Sequence, residues 1–125
     1  MITLFGKTIS KTGLINGFNA SPYCVNPSAK GTSEIVKVSD THIWYKRGKT
    51  IMRISIELIN NIFDHIDKNI LIGTKIYGKD IVNIKNKVAP NYKGWHNCDA
   101  SFIMMLLRYI LNKPIYGKKP VYIII

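Results

Sequence analysis

The run Ser55-Ile56-Glu57-Leu58-Ile59-Asn60-Asn61-Ile62-Phe63-Asp64-His65-Ile66-Asp67-Lys68-Asn69 decides the fold. Ile56, Ile59, Ile62, Phe63 and Ile66 recur at spacings of three and four, so a helix gathers them into one apolar stripe. Asn60, Asp64, Asp67 and Lys68 fall on the opposite side. Ser55 suits the N-cap, and Glu57 in the first turn meets the positive end of the helix dipole. The helix ends near Asn69.

Upstream of this helix the pattern changes. Between residues 34 and 54, Glu34-Ile35-Val36-Lys37-Val38, Thr41-His42-Ile43-Trp44-Tyr45 and Thr50-Ile51-Met52-Arg53-Ile54 are short β-prone runs. Ser39-Asp40 and Lys46-Arg47-Gly48-Lys49 separate them as turns, which predicts an antiparallel meander. The two-residue period puts His42, Trp44 and Lys46 on one face and Ile43 and Tyr45 on the other. Residues 1–33 are rich in Gly, Pro, Asn and Ser. Ile2 to Phe5 reads as an edge strand, and the rest as an ordered, turn-rich loop packed through Leu14, Ile15, Phe18, Tyr23 and Val25.

Downstream, Ile70-Leu71-Ile72-Gly73 reads as a short apolar, strand-like connector. Thr74 is the expected cap of a second helix that lines up Tyr77, Ile81, Ile84 and Val88 and stops before Pro90. Lys75, Lys79, Asp80, Lys85 and Lys87 are expected on its exposed side. A third helix, Ala100 to about Leu111, is capped by Asp99 or Asn97. Phe102, Ile103, Leu106, Leu107, Tyr109 and Ile110 make it apolar around most of its circumference, leaving Ser101, Met105, Arg108 and Asn112 for the remaining side. A hairpin with Lys118-Lys119-Pro120 at its tip closes the chain, and Val121 to Ile125 is apolar enough to belong inside a sheet. The expected class is α+β, one basic domain over residues 1–125. Its parts are a turn-rich segment (1–33), a meander (34–54), and helices plus hairpin (55–125).

Three helices followed by a hairpin resemble a winged-helix domain in element order. The third helix, however, is too apolar for a recognition helix lying open in a DNA groove.

Lys and Arg number 18 against 7 Asp and Glu, a net charge of +11. Such a surface attracts phosphate backbones, anionic membranes or acidic proteins. Lysine, a point charge, outnumbers arginine, a bidentate fork, so phosphates suit this chain better than base edges. No apolar run is long enough for a membrane span and no leader precedes Lys7, so a cytoplasmic protein without membrane partners is expected. Cys24 and Cys98 fit no metal-ligand spacing and read as free thiols, with a single bridge between them left open.

Lys46, Arg47, Lys49 and Arg53 form the densest basic patch, beside Trp44 and Tyr45, and a cationic turn of this kind straddles a phosphate backbone. Lys85, Lys87, Lys93, Lys118 and Lys119 are further contacts. The loop Tyr92 to Asp99 offers weaker catalytic candidates: a Cys98 nucleophile served by His96 or His42, or a histidine-dependent nuclease that includes His65. The acids show no nuclease clustering, and no cofactor or metal site is evident. The leading expectation is a small nucleic-acid-binding protein. An inhibitor or adaptor with an acidic protein partner, and a compact nuclease or toxin, are the alternatives. A chain rich in Ile, Lys and Asn also gathers positive charge without function, so convergence of the cations on one face decides between these readings.

Overall fold

The computed structural model describes residues 1–20, 33–117 and 121–125. It opens with a hairpin, β1 (Ile2–Leu4) against β2 (Lys7–Ile9), turning through Phe5 and Gly6, both at positive φ. The expected loop does not follow directly. Residues 11–20 are helical instead, with a π-helical turn over Gly13–Phe18. Leu14 and Phe18 on this turn are buried, and that burial holds the segment helical despite its two glycines. The Tyr109 hydroxyl donates to the Gly13 carbonyl at 3.4 Å, and a Cβ on Gly17 would fall 1.9 Å from the same oxygen. Glycine at position 17 is a packing requirement rather than a turn signal.

The meander forms as expected, from β3 (Ser33–Val38), β4 (His42–Arg47) and β5 (Thr50–Ser55), in that order across the sheet. Its inner face buries Ile35, Ile43, Tyr45 and Ile54. One irregularity matters: the β3–β4 register shifts between Ile35 and Lys37, so Val36 is an extra, bulged residue. The free edge of β3 is partly blocked by a side chain. Asn19 donates to the Ile35 carbonyl and accepts from the Ile35 N–H, both at 2.8 Å, as a paired strand residue would.

Helix α1 (Ile56–Asn69) starts at Ser55, whose Oγ accepts from the Leu58 N–H at 3.3 Å. It buries the expected apolar stripe. Asn60, on the side expected to be solvated, clamps β1 instead: it donates to the Met1 carbonyl at 2.9 Å and accepts from Thr3 N–H at 3.2 Å. The connector Ile70 to Gly73 is a turn rather than a strand, with Leu71 and Ile72 exposed.

The start of the second helix is corrected. Thr74 caps nothing; Lys75–Tyr77 is strand β6, and α2 (Gly78–Val88) begins after it. Ile76 must point into the core, and Asp80 accepts from the Tyr77 N–H at 2.8 Å, which fixes the helix start three residues later than Thr74 would. Helix α3 (Asn97–Leu111) is followed by β7 (Ile115–Tyr116) and β8 (Tyr122–Ile124). The terminal strand is the centre of the second sheet, in the order β6-β8-β7. Asn112, in the left-handed conformation at φ 51°, ends α3.

Helix α3 is the post of the molecule. Phe102, Ile103, Met104, Leu106, Leu107 and Ile110 are buried, and so is Met105, expected on the open side. The meander and the π-helical turn, both upstream in the chain, pack on this helix: Tyr45 stacks on Phe102, and Phe18 packs edge-on against Phe102 and Tyr109. One cluster of buried side chains runs from β1 to Ile125. No described helix is long and apolar enough to cross a membrane.

Candidate nucleic-acid interface

The meander's outer face is built around Trp44. Alternation along β4 turns Ile43 and Tyr45 inward and leaves His42, Trp44 and Lys46 outward. Opposite Trp44 in the register stand Lys37 on β3 and Arg53 on β5, one row across three strands. Without the bulge at Val36, Lys37 would alternate to the inner face with Ile35. With it, Lys37 comes out, and its Nζ sits 4.6 Å from the centre of the Trp44 ring. His42 stacks obliquely on the same indole, 5.8 Å between ring centres. Lys46 follows on this face, across from Ile51 and from Glu34, the one acid on it among the described strand residues.

Beside this face lies a groove of about 430 Å³ between β5 and the loop after α2. Arg53, Lys93, His42 and His96 line it, together with Tyr92 and Met52. The Ser55 N–H donates to the Tyr92 hydroxyl at 3.3 Å, tying this loop to the end of β5. Two histidines and two permanent cations thus converge on one concave surface. Among the described residues, the ion pairs are Lys11 with Asp40 and Lys68 with Asp64, so Lys37, Lys46, Arg53 and Lys93 have no carboxylate partner there. Charges left unpaired around an aromatic ring favour an anionic ligand with flat groups to stack.

The other expected contacts separate. Lys49 is exposed in the β4–β5 turn beside Gly48, whose φ of +58° suits glycine. Arg47 points to the inner side of the sheet, half-buried, with one guanidinium nitrogen lacking a partner among the described residues. Lys85, expected on a solvated face, is buried, with its Nζ over the Trp95 ring, 5.8 Å from the ring centre, and 3.4 Å from the Asn86 amide oxygen. Lys87 is exposed on the last turn of α2. Lys118 and Lys119 lie outside the described residues, as does Cys24.

Of the catalytic candidates, His42 and His96 line the groove, and Cys98 and His65 do not. His96 is exposed at the groove, while Cys98 is half-buried in the first turn of α3 and packs on the core. His65 sits on α1, where Asn69 donates to its backbone carbonyl at 3.0 Å, and it does not line the groove. Among the described residues no three His, Cys, Asp or Glu side chains group as a metal site would. Asp99 works structurally. It is fully buried, one oxygen accepts from the His96 N–H at 3.0 Å, and the other accepts from the Tyr45 hydroxyl. Burial pushes its carboxyl above the usual range, against the two donors that favour the charged form. Burial, reinforced by that carboxylate, likewise holds the Tyr45 phenol protonated far above its ordinary value.

Sequence reading overlooked Lys37 because strict alternation hides it, and overlooked the pairing of Arg53 with Lys93 because 40 positions separate them. Comparison of the chain with protein-family models, with characterised proteins and with solved structures finds no match.

Proposed function

We propose that the chain is a small, non-enzymatic, cytoplasmic nucleic-acid-binding protein whose principal contact surface is the outer face of the meander and the adjoining groove. The observation that carries this reading is the cross-strand row Lys37–Trp44–Arg53, with Lys46 on the same face and Lys93 across the groove, all without carboxylate partners among the described residues. In this reading Lys37, Lys46, Arg53 and Lys93 take phosphates, Lys49 adds to them from the turn, and Trp44 offers a stacking surface. Lysines and arginines in this setting position a backbone and do not read base edges, so weak sequence preference accompanies the binding.

In this reading the order α1-β6-α2-α3-β7-β8, with β8 between its partners, resembles a winged-helix domain in element order, which favours the same class of ligand. The contact mode differs. The meander covers α3 through Tyr45 and Phe102, so α3 is not the reading element. The meander itself takes over that role.

The test is a salt titration. Labelled duplex and single-stranded oligonucleotides are bound at about 50 to about 200 mM salt. The expected outcome is log affinity falling linearly with log salt, and a joint Arg53→Ala, Lys93→Ala variant with a slope lower by about 2 on duplex. Absence of binding to either oligonucleotide at low salt overturns the proposal.

A further inference from the structure

The second sheet carries an aromatic row of its own. Tyr77 on β6 pairs with Tyr122 on β8, and Tyr122 pairs with Tyr116 on β7. Three tyrosines therefore stand in a row across the sheet, with ring centres 5.3 and 5.6 Å apart, Tyr77 tilted against Tyr122 and Tyr116 stacked on it with planes 27° apart. Ile76 and Ile123 alternate to the other face and are buried, so the tyrosines face outward, with Tyr116 43 % exposed. Lys75 places its Nζ 4.8 Å from the centre of the Tyr122 ring, and Lys79 places its own 5.7 Å from that of Tyr77. The strand residues of this face are Lys75, Tyr77, Tyr116, Tyr122 and Ile124, and none is acidic. Lys79 is the second residue of α2, where the helix dipole disfavours a cation, so helix stability does not account for it.

We propose that this face is a second binding site, one that takes an unpaired nucleic-acid strand. A base stacks on the face of Tyr116 that is turned away from Tyr122, and Lys75 and Lys79 swing from the rings of Tyr122 and Tyr77 to the flanking phosphates. The proposal rests on the nucleic-acid reading above and adds to it a selectivity for single strands. The physical reason is access. Every base has a π-face, but in a duplex that face is already stacked, whereas in a free strand it is open to an aromatic platform. An exposed ammonium over a ring is held weakly, so Lys75 and Lys79 are free to turn from Tyr122 and Tyr77 to the phosphates beside the base on Tyr116.

Cross-strand tyrosine pairs also stabilise small sheets, and the experiment separates that role from binding. The full chain is titrated against labelled oligothymidylate of about 16 nucleotides and against a duplex of equal length. Tyr116→Ala is expected to weaken single-strand binding about tenfold, the loss of one stacked base, and to change duplex affinity less than about twofold. Tyr116→Phe should bind as the parent does, since the stack survives. Tyr116→Leu should lose the single strand as the alanine variant does, while keeping apolar bulk and an unchanged circular dichroism spectrum. Unchanged single-strand affinity in the alanine and leucine variants overturns the inference, and so does an equal loss on both ligands. If the parent binds the duplex and responds to Arg53→Ala while the tyrosine variants bind normally, this inference alone fails. If the parent binds neither ligand, the broader reading fails with it.

Discussion

The rings of Tyr45 and Phe102 stack face to face, their centres 4.1 Å apart and their planes 1° from parallel. This contact joins β4 to α3, so the meander and the helices share one core rather than two. Phe102→Ala removes a fully buried ring from the junction and is expected to cost about 3–5 kcal/mol. Urea unfolding followed by circular dichroism and by tryptophan fluorescence should shift together. If the two probes separate, the halves are not cooperatively joined.

The same two elements meet again where the Tyr45 hydroxyl donates to Asp99. Tyr45→Phe leaves the buried carboxyl with one donor fewer and should cost about 1–3 kcal/mol. The pH dependence has a definite sign. Asp99 has its folded-state pKa raised above the unfolded value, so it contributes stability that is fully present below the ordinary carboxylate pKa and is lost as pH rises through the raised value. The advantage of the parent over Asp99→Asn should therefore shrink from about pH 4 upward across the mildly acidic range. Urea midpoints for the two proteins measured across that range check it, and a gap that widens with pH contradicts the assignment.

Gly17 and Tyr109 are coupled. A methyl at position 17 overlaps the Tyr109 hydroxyl, which is also the donor to Gly13. Gly17→Ala is expected to destabilise by about 1–3 kcal/mol, and by clearly less when Tyr109→Leu is already present. Thermal melts of the double-mutant cycle measure the difference; simple additivity would show that the ring does not obstruct the site.

Lys46 and Arg47 are neighbours in sequence with opposite expectations. Lys46→Ala should leave stability within about 0.5 kcal/mol and lower the salt slope of duplex binding by about 0.9. Arg47→Met removes a guanidinium nitrogen that is buried and unpartnered among the described residues. It should leave the salt slope unchanged and leave stability equal or raised by about 1 kcal/mol. The same titrations and melts decide both, and a slope change on Arg47→Met would return it to the binding face.

Much of the architecture was legible because it follows from short-range pattern. The three- and four-residue spacing from Ile56 to Ile66 dictates α1, the alternation around Ile43 and Tyr45 dictates β4, and the apolar run at Val121 to Ile125 dictates a strand inside a sheet. The basic cluster near Trp44 was visible for the same reason, since neighbours in sequence share a turn.

What the sequence could not determine depends on what packs from far away. Met105 reads as exposed until the elements packed on α3 bury it, and Lys85 reads as solvated until the fold buries it with its ammonium over Trp95. Lys75 to Tyr77 reads as helix until β8 offers its edge some 45 residues later, and residues 11–20 read as loop until Leu14 and Phe18 find the core. One bulged residue, Val36, carries Lys37 from the inner face to the indole of Trp44. Composition and periodicity determined which elements form and that the surface is cationic. Only the tertiary structure decided which cations stand together, because their grouping depends on strand register and on long-range burial, and neither has a local signature.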